Sequence, residues 1–339
     1  MDPHVDADQR VDDTRTGPDR AKCRERCPPV AFVDDSSPEF GELHELAGRP
    51  LVDHVIDLAL GLARPHDIVV VVGHGADAVG AHVRDRGVGA VLQEPQLGTG
   101  DALRVALEGL AHRPPDRLLV LSGDVPLLRR GTLRGLMSAV EDGASAALLT
   151  AELDDPGSYG RVVRNDGGLV REVVEACDAD HRQLAIREVN AGVYAFDRGA
   201  VATAVAGLGN DNAQSEYYLT DVAAALTARG LPVAAVPLDD PAEMQGVNTR
   251  SDLAQAGRVL NEMVLEDLMA AGVSIRDPRT TWVDPRASIG GETVLEPGVV
   301  LKGQCHIGAG AVIGANCVLD NAAVGTGEKV PPLTFLTGA

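Results

Sequence analysis

Short runs of aliphatic residues alternate, over much of the chain, with segments whose apolar residues recur on one helix face. The short continuous runs predict buried strands, which we place at 68–72, 90–93, 118–122 and 145–150. The amphipathic segments predict helices, which we place at 53–64, 76–85, 101–111 and 132–141. Strands and helices in this order are typical of βαβ units with a mostly parallel sheet. The pattern therefore predicts a doubly wound α/β domain.

Residues that directly follow the predicted strands are the first candidates for ligand contacts. In doubly wound sheets, ligands bind beyond the carboxyl ends of the strands. The sequence GTG at 98–100 and the pair Gly123 and Asp124 occupy such positions. We therefore expect the functional site at this edge of the sheet.

A different period begins near residue 283. Seven aliphatic residues recur at a strict six-residue interval, namely Val283, Ile289, Leu295, Leu301, Ile307, Ile313 and Leu319. Hexapeptide repeats of this kind build a left-handed parallel β-helix, in which every sixth side chain stacks inside a prism. We expect the repeat to decay after Val324 and residues 331–336 to form a cap or a ragged end.

Four regions follow from these patterns. Residues 1–28 have no period of 2 or 3.6 and predict a disordered tail. We place the α/β domain at 29–249, a linker helix at 250–272 and the short β-helix at 273–339. Gly272 is the residue that ends the linker helix.

The composition narrows the class of partner. The chain has 339 residues with 30 Lys and Arg against 50 Asp and Glu, a net charge of −20, which repels nucleic acids and anionic membranes. An anionic substrate would then need a metal ion or a few local basic groups. The five cysteines lack the spacing of a zinc site, and no apolar run is long enough to span a bilayer. We expect a soluble, cytoplasmic protein without nucleic-acid or membrane partners.

Asp124 is the first candidate for metal chemistry. It follows a buried strand, Ser122 and Gly123, and a glycine there lets a ligand approach the backbone. Mg²⁺ takes one or two protein oxygens together with substrate phosphates, so one carboxylate and one amide oxygen suffice. The alternative is that Asp124 caps the next helix.

Other polar segments suit a planar ring, a phosphate or sugar hydroxyls. A turn is the alternative for each of them except 212–221, where amides, a carboxylate and two of the four tyrosines cluster. The segments are QEPQLGTG at 93–100, YGR at 159–161, Glu175, NAG at 190–192, NAQSEYYLTD at 212–221 and GVN at 246–248.

In combination these segments resemble one family. LHELAGRPLVDHVID from Leu43, VLQEPQLGTGDA, LSGDVPL, DDPGSYGRVVR, EVNAGVYAF, NAQSEYYLTD and GVNTRSDL, followed by the hexapeptide repeats, are similar to the GlmU family. Its members are bifunctional N-acetylglucosamine-1-phosphate uridyltransferases and glucosamine-1-phosphate acetyltransferases.

The resemblance implies a Mg²⁺-dependent transfer of UMP from UTP to N-acetylglucosamine 1-phosphate. The products would be UDP-N-acetylglucosamine, a precursor of peptidoglycan and lipopolysaccharide, and pyrophosphate. It implies that Asp124 and Asn248 hold the catalytic Mg²⁺ and that Ser122 and Gly123 lie at the substrate. It also implies assembly as a homotrimer. Further implied substrate contacts are Gln93, Gly98 and Thr99 at the uracil, and Gly160, Glu175 and Asn190 at the sugar.

The chain departs from the family pattern in three places. The family opens with a strand, a loop reading L-A-A-G-x-G-T-R and a Pro-Lys pair, and none of these is found in VAFVDDSSPEFGE, where Gly41 stands in place of the Lys. Ala176 and Cys177 replace a more polar pair beside Glu175. The coils that carry the acetyl-transfer histidine are not in the sequence, so we expect no acetyltransferase activity.

Two explanations of the altered start remain open. A frameshift near the gene start would scramble the first forty residues, whereas a true homologue without the loop would have lost catalysis. The second explanation predicts a protein that binds a UDP-sugar or assembles with a full-length enzyme. A third interpretation keeps the fold but changes the sugar or the nucleotide.

Overall fold

The computed structural model describes residues 30–33, 43–73, 75–110 and 116–338 of the chain. The predicted tail at 1–28, which includes Cys23 and Cys27, lies outside the described residues. The same is true of residues 34–42, where the family has its Gly-rich loop.

The α/β domain contains short strands and helices in alternation. In chain order its described strands are β1 (Val30–Val33), β2 (Glu45–Leu46), β3 (Arg49–Pro50), β4 (Ile68–Val72), β5 (Gly89–Leu92), β6 (Arg117–Ser122), β7 (Ala146–Glu152), β8 (Arg161–Arg164), β9 (Val170–Val174), β10 (Glu188–Asp197) and β11 (Val233–Pro237). The α-helices described along the chain are α1 (Leu51–Leu60), α2 (Ala76–Asp85), α3 (Thr99–Gly109), α4 (Arg130–Glu141), α5 (His181–Leu184), α6 (Arg198–Val205), α7 (Asp221–Thr227) and α8 (Arg250–Ala270).

The main sheet has the strand order β11-β7-β10-β6-β1-β4-β5, with β8 and β9 attached beside β10. β1 pairs in parallel with β4 and β6, β4 with β5, and β11 with β7. Only β10, among the strands on this path, runs antiparallel to its neighbours β6 and β7. The predicted α/β class with a mostly parallel sheet is confirmed.

A strand occupies the centre of the sheet where we expected none of the family's opening elements. Val30–Val33 pairs with β4 on one side and with β6 on the other. The expectation was wrong for the strand, because the apolar run VAFV suits a position between two buried strands.

Helix boundaries differ from the prediction by up to four residues. The helix predicted at 53–64 is Leu51–Leu60 and is followed by Gly61 as its C-cap. The helix predicted at 101–111 begins at Thr99, directly after Gly98. Each change lies at a helix end, where caps rather than the apolar period decide the boundary.

Helices cover both faces of the sheet. One buried cluster joins Val52 and Ile56 of α1, Val83 of α2 and Leu133 of α4 to one face. The other joins Leu103 of α3, Val201 of α6 and Val222 of α7 to the opposite face. All five residues of β4 are buried, which explains its uninterrupted IVVVV sequence.

The C-terminal region is a prism of three parallel sheets. Its short strands are β12 (Ser274–Ile275), β13 (Trp282–Val283), β14 (Ser288–Ile289), β15 (Val294–Leu295), β16 (Val300–Lys302), β17 (His306–Ile307), β18 (Val312–Ile313), β19 (Val318–Asp320), β20 (Ala323–Val324), β21 (Lys329–Val330) and β22 (Phe335–Thr337). The sheets are β12-β15-β18-β21, β13-β16-β19-β22 and β14-β17-β20. Six of the seven predicted residues belong to one buried core cluster, and the seventh, Ile289, is partly buried and packs against it, which confirms the hexapeptide β-helix.

The repeat does not decay after Val324, as we had expected. Val330 pairs with Ile313, and Leu336 pairs with Leu319. The turn before Val324 is one residue shorter than the others, and the six-residue spacing then resumes at Val330 and Leu336. The shortened turn hides the period, because a strict interval counted from Leu319 misses every later inner position.

The long helix α8 is clamped to the first coil of the prism by one side chain. Asn261 is buried, its Nδ2 donates to the Thr281 carbonyl oxygen at 2.8 Å, and its Oδ1 accepts from the Val283 N–H at 3.0 Å. Leu265, one turn later, is part of the prism core. No helix in the described part of the chain has both the length and the apolar composition of a transmembrane span.

We expect Asn261→Ala to lower the free energy of unfolding of the prism by about 2 kcal/mol, because two buried backbone groups lose their partner. Trp282, the single tryptophan of the chain, lies between the two clamped residues and reports this unfolding by its fluorescence. Urea titration measures the change, with Asn210→Ala, at an exposed position, as the control. Equal midpoints for Asn261→Ala and the wild type would contradict the role of the clamp.

Candidate functional site

Asp124 lies just beyond the carboxyl end of β6. Ser122 Oγ donates a hydrogen bond to Asp124 Oδ1, and the Val247 N–H donates to the Asp124 carbonyl oxygen at 3.0 Å. The first bond orients the carboxylate, and the second holds the segment before α8 against it. Asp124 is not a helix cap, because α4 begins only at Arg130 and its N-cap makes no side-chain hydrogen bond.

Gly246 lies between the two predicted metal ligands. A Cβ atom added at Gly246 would lie 2.8 Å from Asp124 Oδ2 and 3.7 Å from Asn248 Nδ2. The structure therefore brings Asp124 and Asn248 to one place, although they are far apart in sequence. A side chain at Gly246 would fill the space that these two polar groups border.

This pair of side chains fits a hard divalent cation. A carboxylate and an amide supply oxygen ligands of the kind that Mg²⁺ prefers, and half a turn of the Asn248 amide exchanges its nitrogen for its oxygen. Burial raises the pKa of Tyr159, and the negative charges of Asp124 and Asp252 raise it further. The surroundings are thus electronegative, which favours a cation. Within the described ranges, no three or more His, Cys, Asp or Glu side chains form a metal cluster.

The loop from Gln93 to Thr99 is held by its own contacts and by a distant segment. Gln93 is buried, and its Nε2 donates to the Gly98 carbonyl oxygen at 3.0 Å and to Asp101 Oδ2 at 2.9 Å. Gly98 has φ of 101°, and a Cβ atom there would lie 2.8 Å from the Tyr217 carbonyl oxygen. Thr99 Oγ1 accepts a bond from the Leu219 N–H at 3.0 Å. The loop is therefore rigid where we expect it to meet a base.

A cavity of about 590 Å³ opens beside this loop. It is lined by the end of β4, the start of α2 and the residues Leu92, Gln93, Glu94 and Gln96. Its position beyond the carboxyl ends of β4 and β5 is where a ligand of a doubly wound sheet is expected.

The three residues predicted at the sugar converge. A Cβ atom at Gly160 would lie 3.3 Å from Glu175 Oε2, and the Asn190 N–H donates to the Gly160 carbonyl oxygen at 2.9 Å. Arg161, which we had grouped with possible sugar contacts, is buried and donates to the carbonyl oxygens of Gly157 and Tyr159 instead. It therefore holds the turn before Gly160.

Glu175 is held by a residue that sequence reasoning did not single out. Thr220 Oγ1 donates to Glu175 Oε1 at 2.9 Å. Burial raises the pKa of Glu175, and the negative charges of Asp221 and Asp178 add to this effect. Thr220 belongs to the NAQSEYYLTD segment, so its polar clustering was a signal, but only the fold shows which group it contacts. Cys177 is exposed, with its sulfur 3.9 Å from the Tyr218 hydroxyl oxygen of the same segment.

A second cavity, of about 600 Å³, lies between α8, the β2–β3 turn and the first coils of the prism. Three of its polar side chains already have partners, since Arg286 pairs with Asp284 at 2.6 Å and Asn261 is bonded to the backbone. We therefore assign the site to the edge of the main sheet.

We expect Glu175→Gln to make the protein more stable at neutral pH. A carboxyl whose pKa is raised by folding stabilises the fold at low pH, and this contribution is lost as the pH rises through the raised pKa. The glutamine variant has no charge to bury, so its advantage in Tm should shrink as the pH falls. Melting curves at several pH values measure this effect. A constant Tm difference at all pH values would contradict this prediction.

Two family models match the chain. The MobA-like NTP transferase domain matches residues 42–205, and the bacterial transferase hexapeptide family (six repeats) matches residues 286–321. The first range contains Gln93, Asp124, Glu175 and Asn190, and the second contains inner residues of the prism.

Proteins described as bifunctional protein GlmU are similar over 88% of the chain. One from Alkalilimnicola ehrlichii is 45% identical over 298 residues, and one from Burkholderia thailandensis is 43% identical over 297 residues. These alignments cover 63% and 65% of the two relatives, so the chain spans less than two thirds of their length.

A solved structure of CMP:2-keto-3-deoxy-manno-octonic acid synthetase complexed with CTP shares the fold. The TM-score is 0.52 at 17% identity, over 70% of this chain and 99% of that chain. At this identity the likeness concerns the fold alone. Over 88% of its length the chain is thus GlmU-like, with a region that matches the MobA-like NTP transferase domain followed by one that matches the transferase hexapeptide family.

Proposed function

We propose that the α/β domain transfers UMP from UTP to N-acetylglucosamine 1-phosphate and releases pyrophosphate. The observation that carries the proposal is the convergence of two polar sets at one edge of the sheet. Asp124 and Asn248 border the glycine cradle at Gly246, and Glu175 and Asn190 lie with Gly160. The first set suits a cation that binds phosphates, and the second suits a hydroxyl-rich ring. Similarity to the GlmU proteins supports this choice of substrates.

In this reaction a phosphate oxygen of the sugar phosphate attacks the α-phosphorus of UTP. The bond from the α-phosphorus to the bridging oxygen breaks, and pyrophosphate leaves with that oxygen. Catalysis of such a transfer is mainly positioning and charge neutralisation. Mg²⁺, when bound, would supply the neutralisation that an acidic chain cannot.

The residues of this chain would do the positioning. Asp124, oriented by Ser122, and Asn248 would hold the cation, and Gly123 would let the nucleotide approach the backbone. The rigid loop with Gln93, Gly98 and Thr99 would hold the uracil. The fixed groups of Gly160, Glu175 and Asn190 would orient the sugar.

The test is release of pyrophosphate from UTP and N-acetylglucosamine 1-phosphate by the whole chain. We expect release that stops with EDTA, returns with Mg²⁺ and is highest for this pair in a panel of nucleotides and sugar phosphates. Preference for another nucleotide or sugar would contradict the substrate assignment while keeping the reaction class.

The second candidate is a catalytically impaired homologue that binds a UDP-sugar or assembles with a full-length enzyme. The sequence DDSSPEFGE at 34–42 favours it, because it lacks the Arg and Lys that would offset charge on the leaving pyrophosphate. Calorimetric binding of UDP-N-acetylglucosamine without any turnover would support this candidate and overturn the first.

One face of the prism supports the proposal of a homotrimer. The outward residues of β13, β16, β19 and β22 are aligned in register and apolar, namely Trp282, Val300, Val318 and Phe335. Trp282 is 42% exposed and Phe335 is 70% exposed. A trimer would cover this column, and light scattering of the purified chain measures its mass.

We further propose that the product supplies peptidoglycan and lipopolysaccharide synthesis in the cytoplasm.

A further inference from the structure

The Tyr194 hydroxyl is a buried polar group that the proposed reaction leaves without a role. The side chain is 2% exposed, and its oxygen makes no hydrogen bond of normal geometry within the described part of the chain. Most buried side-chain polar atoms in proteins do have such a partner. A buried hydroxyl without a partner therefore needs an explanation. One explanation is that the hydroxyl forms its hydrogen bond only when a ligand binds.

Tyr194 lies on the same strand as a predicted sugar contact. β10 carries Asn190 near its start and Tyr194 further along, with a shift of register between them at the bulge that contains Gly192. The Tyr194 ring stacks on Phe196 with ring centroids 5.6 Å apart and planes 6° from parallel. It belongs to the buried cluster that α7 covers with Val222. The ring is thus fixed, and so is the direction of its hydroxyl.

The hydroxyl lies near two of the residues predicted at the sugar. The polar neighbour of the hydroxyl is the carboxamide of Asn190, and the negative charges of Glu175 and Asp221 act on it through space. Burial is the main cause that raises the pKa of Tyr194, and these negative charges raise it further. The hydroxyl therefore keeps its proton and is available as a hydrogen-bond donor.

Asn190 and Glu175, two of the residues predicted at the sugar, each have one polar side-chain atom that is already hydrogen-bonded. Asn190 Oδ1 accepts from the Gly192 N–H at 3.1 Å, which leaves its Nδ2 to donate. Glu175 Oε1 accepts from Thr220, while Oε2 lies beside Gly160.

We propose that Tyr194 is a positioning residue of the sugar site, whose buried hydroxyl supports Asn190 and Glu175 from beneath and completes its hydrogen bond when a bound sugar engages them. The inference rests on the proposed function, because it takes an N-acetylated sugar nucleotide as the ligand. Tyr194 would not touch the sugar itself, and it would act through the orientation of the two contact residues.

The test compares the wild-type chain with Tyr194→Phe, which removes only the hydroxyl. We expect the affinity for UDP-N-acetylglucosamine to fall about tenfold, while the affinity for UMP, which lacks the sugar, stays within about twofold. Without ligand, the Tm of the variant should equal or exceed that of the wild type, because the orphaned group is gone. Calorimetry and melting curves measure these quantities without any need for turnover.

Each other outcome overturns the inference in a different way. Equal sugar-nucleotide affinities for the two chains would show that Tyr194 has no positioning role, while the proposed function stands. A lower Tm with equal losses for both ligands would show a purely structural role. A wild-type chain that binds UMP but not UDP-N-acetylglucosamine would overturn the proposed function, and the inference with it.

Discussion

Asp124→Asn is expected to lower kcat for pyrophosphate release by about 1,000-fold. The substitution keeps the shape of the side chain but replaces an anionic oxygen by an NH₂ group, which cannot bind a cation. The bond from Ser122 can be kept by the remaining oxygen, so the turn after β6 should persist. The loss would therefore report charge at the site and not a disturbed fold.

Steady-state assays at several Mg²⁺ concentrations, together with melting curves, measure this effect. Asp166→Asn is the matched control, because Asp166 lies in an exposed turn between β8 and β9. We expect the control to retain wild-type activity and both variants to keep the wild-type Tm. Turnover of Asp124→Asn within about tenfold of the wild type would show that the cation is held elsewhere. If the wild type only binds substrates, the same variant should lose Mg²⁺-dependent binding of UTP.

Gly290→Ala is expected to destabilise the prism by about 3 kcal/mol. An added Cβ atom would lie 2.5 Å from the Ala309 nitrogen and 2.6 Å from its Cα, both backbone atoms of the next coil. The Gly290 N–H also donates to the Ile307 carbonyl oxygen at 2.8 Å, so the two coils cannot separate without losing this bond. A single methyl group thus forces either strain or a gap between stacked coils.

The neighbouring glycine provides the control. A Cβ atom at Gly291 would lie 3.5 Å from the Ala271 carbonyl oxygen, an ordinary contact, so Gly291→Ala should change stability by less than about 0.5 kcal/mol. Urea titration followed by Trp282 fluorescence compares the two variants in the same coil. Equal midpoints for the two variants would mean that the coils are not packed as closely as the structure has them.

The spacing of apolar residues along the sequence was enough to predict much of the fold. β4 was recognised because a strand covered on both faces has no polar position, and all five of its residues are buried. The prism was recognised because one inner side chain recurs in each hexapeptide, from Val283 to Leu319. In both cases the environment of each residue depends on its place in a local repeat.

Features that depend on distant segments, or that interrupt a constant period, escaped prediction. The antiparallel direction of β10 depends on how the chain returns to the sheet, which an apolar run does not encode. The short turn before Val324 changes one interval, and it hid the last two inner residues, Val330 and Leu336. The clamp at Asn261 contacts the backbone of Thr281 and Val283, and amides of this kind leave no pattern in the sequence.

The candidate site likewise has residues that the sequence indicated and a proximity of residues that only the structure shows. Asp124 was a candidate from its place after a strand. Glu175 and Asn190 were candidates as polar residues that follow apolar segments, and the family resemblance then gave them a role at the sugar. That Gly246 brings Asp124 and Asn248 together was not visible in any local segment.

By itself, the sequence of this protein determined the α/β class, the hexapeptide prism and the edge of the sheet where ligands belong, because these follow from the local alternation of buried and exposed positions. Only the tertiary structure decided which side chains meet: Thr220 and Glu175, Tyr194 and Asn190, and Asp124 and Asn248 around Gly246. The physical reason is that hydrogen bonding and burial act between atoms that meet in space, whatever their separation along the chain.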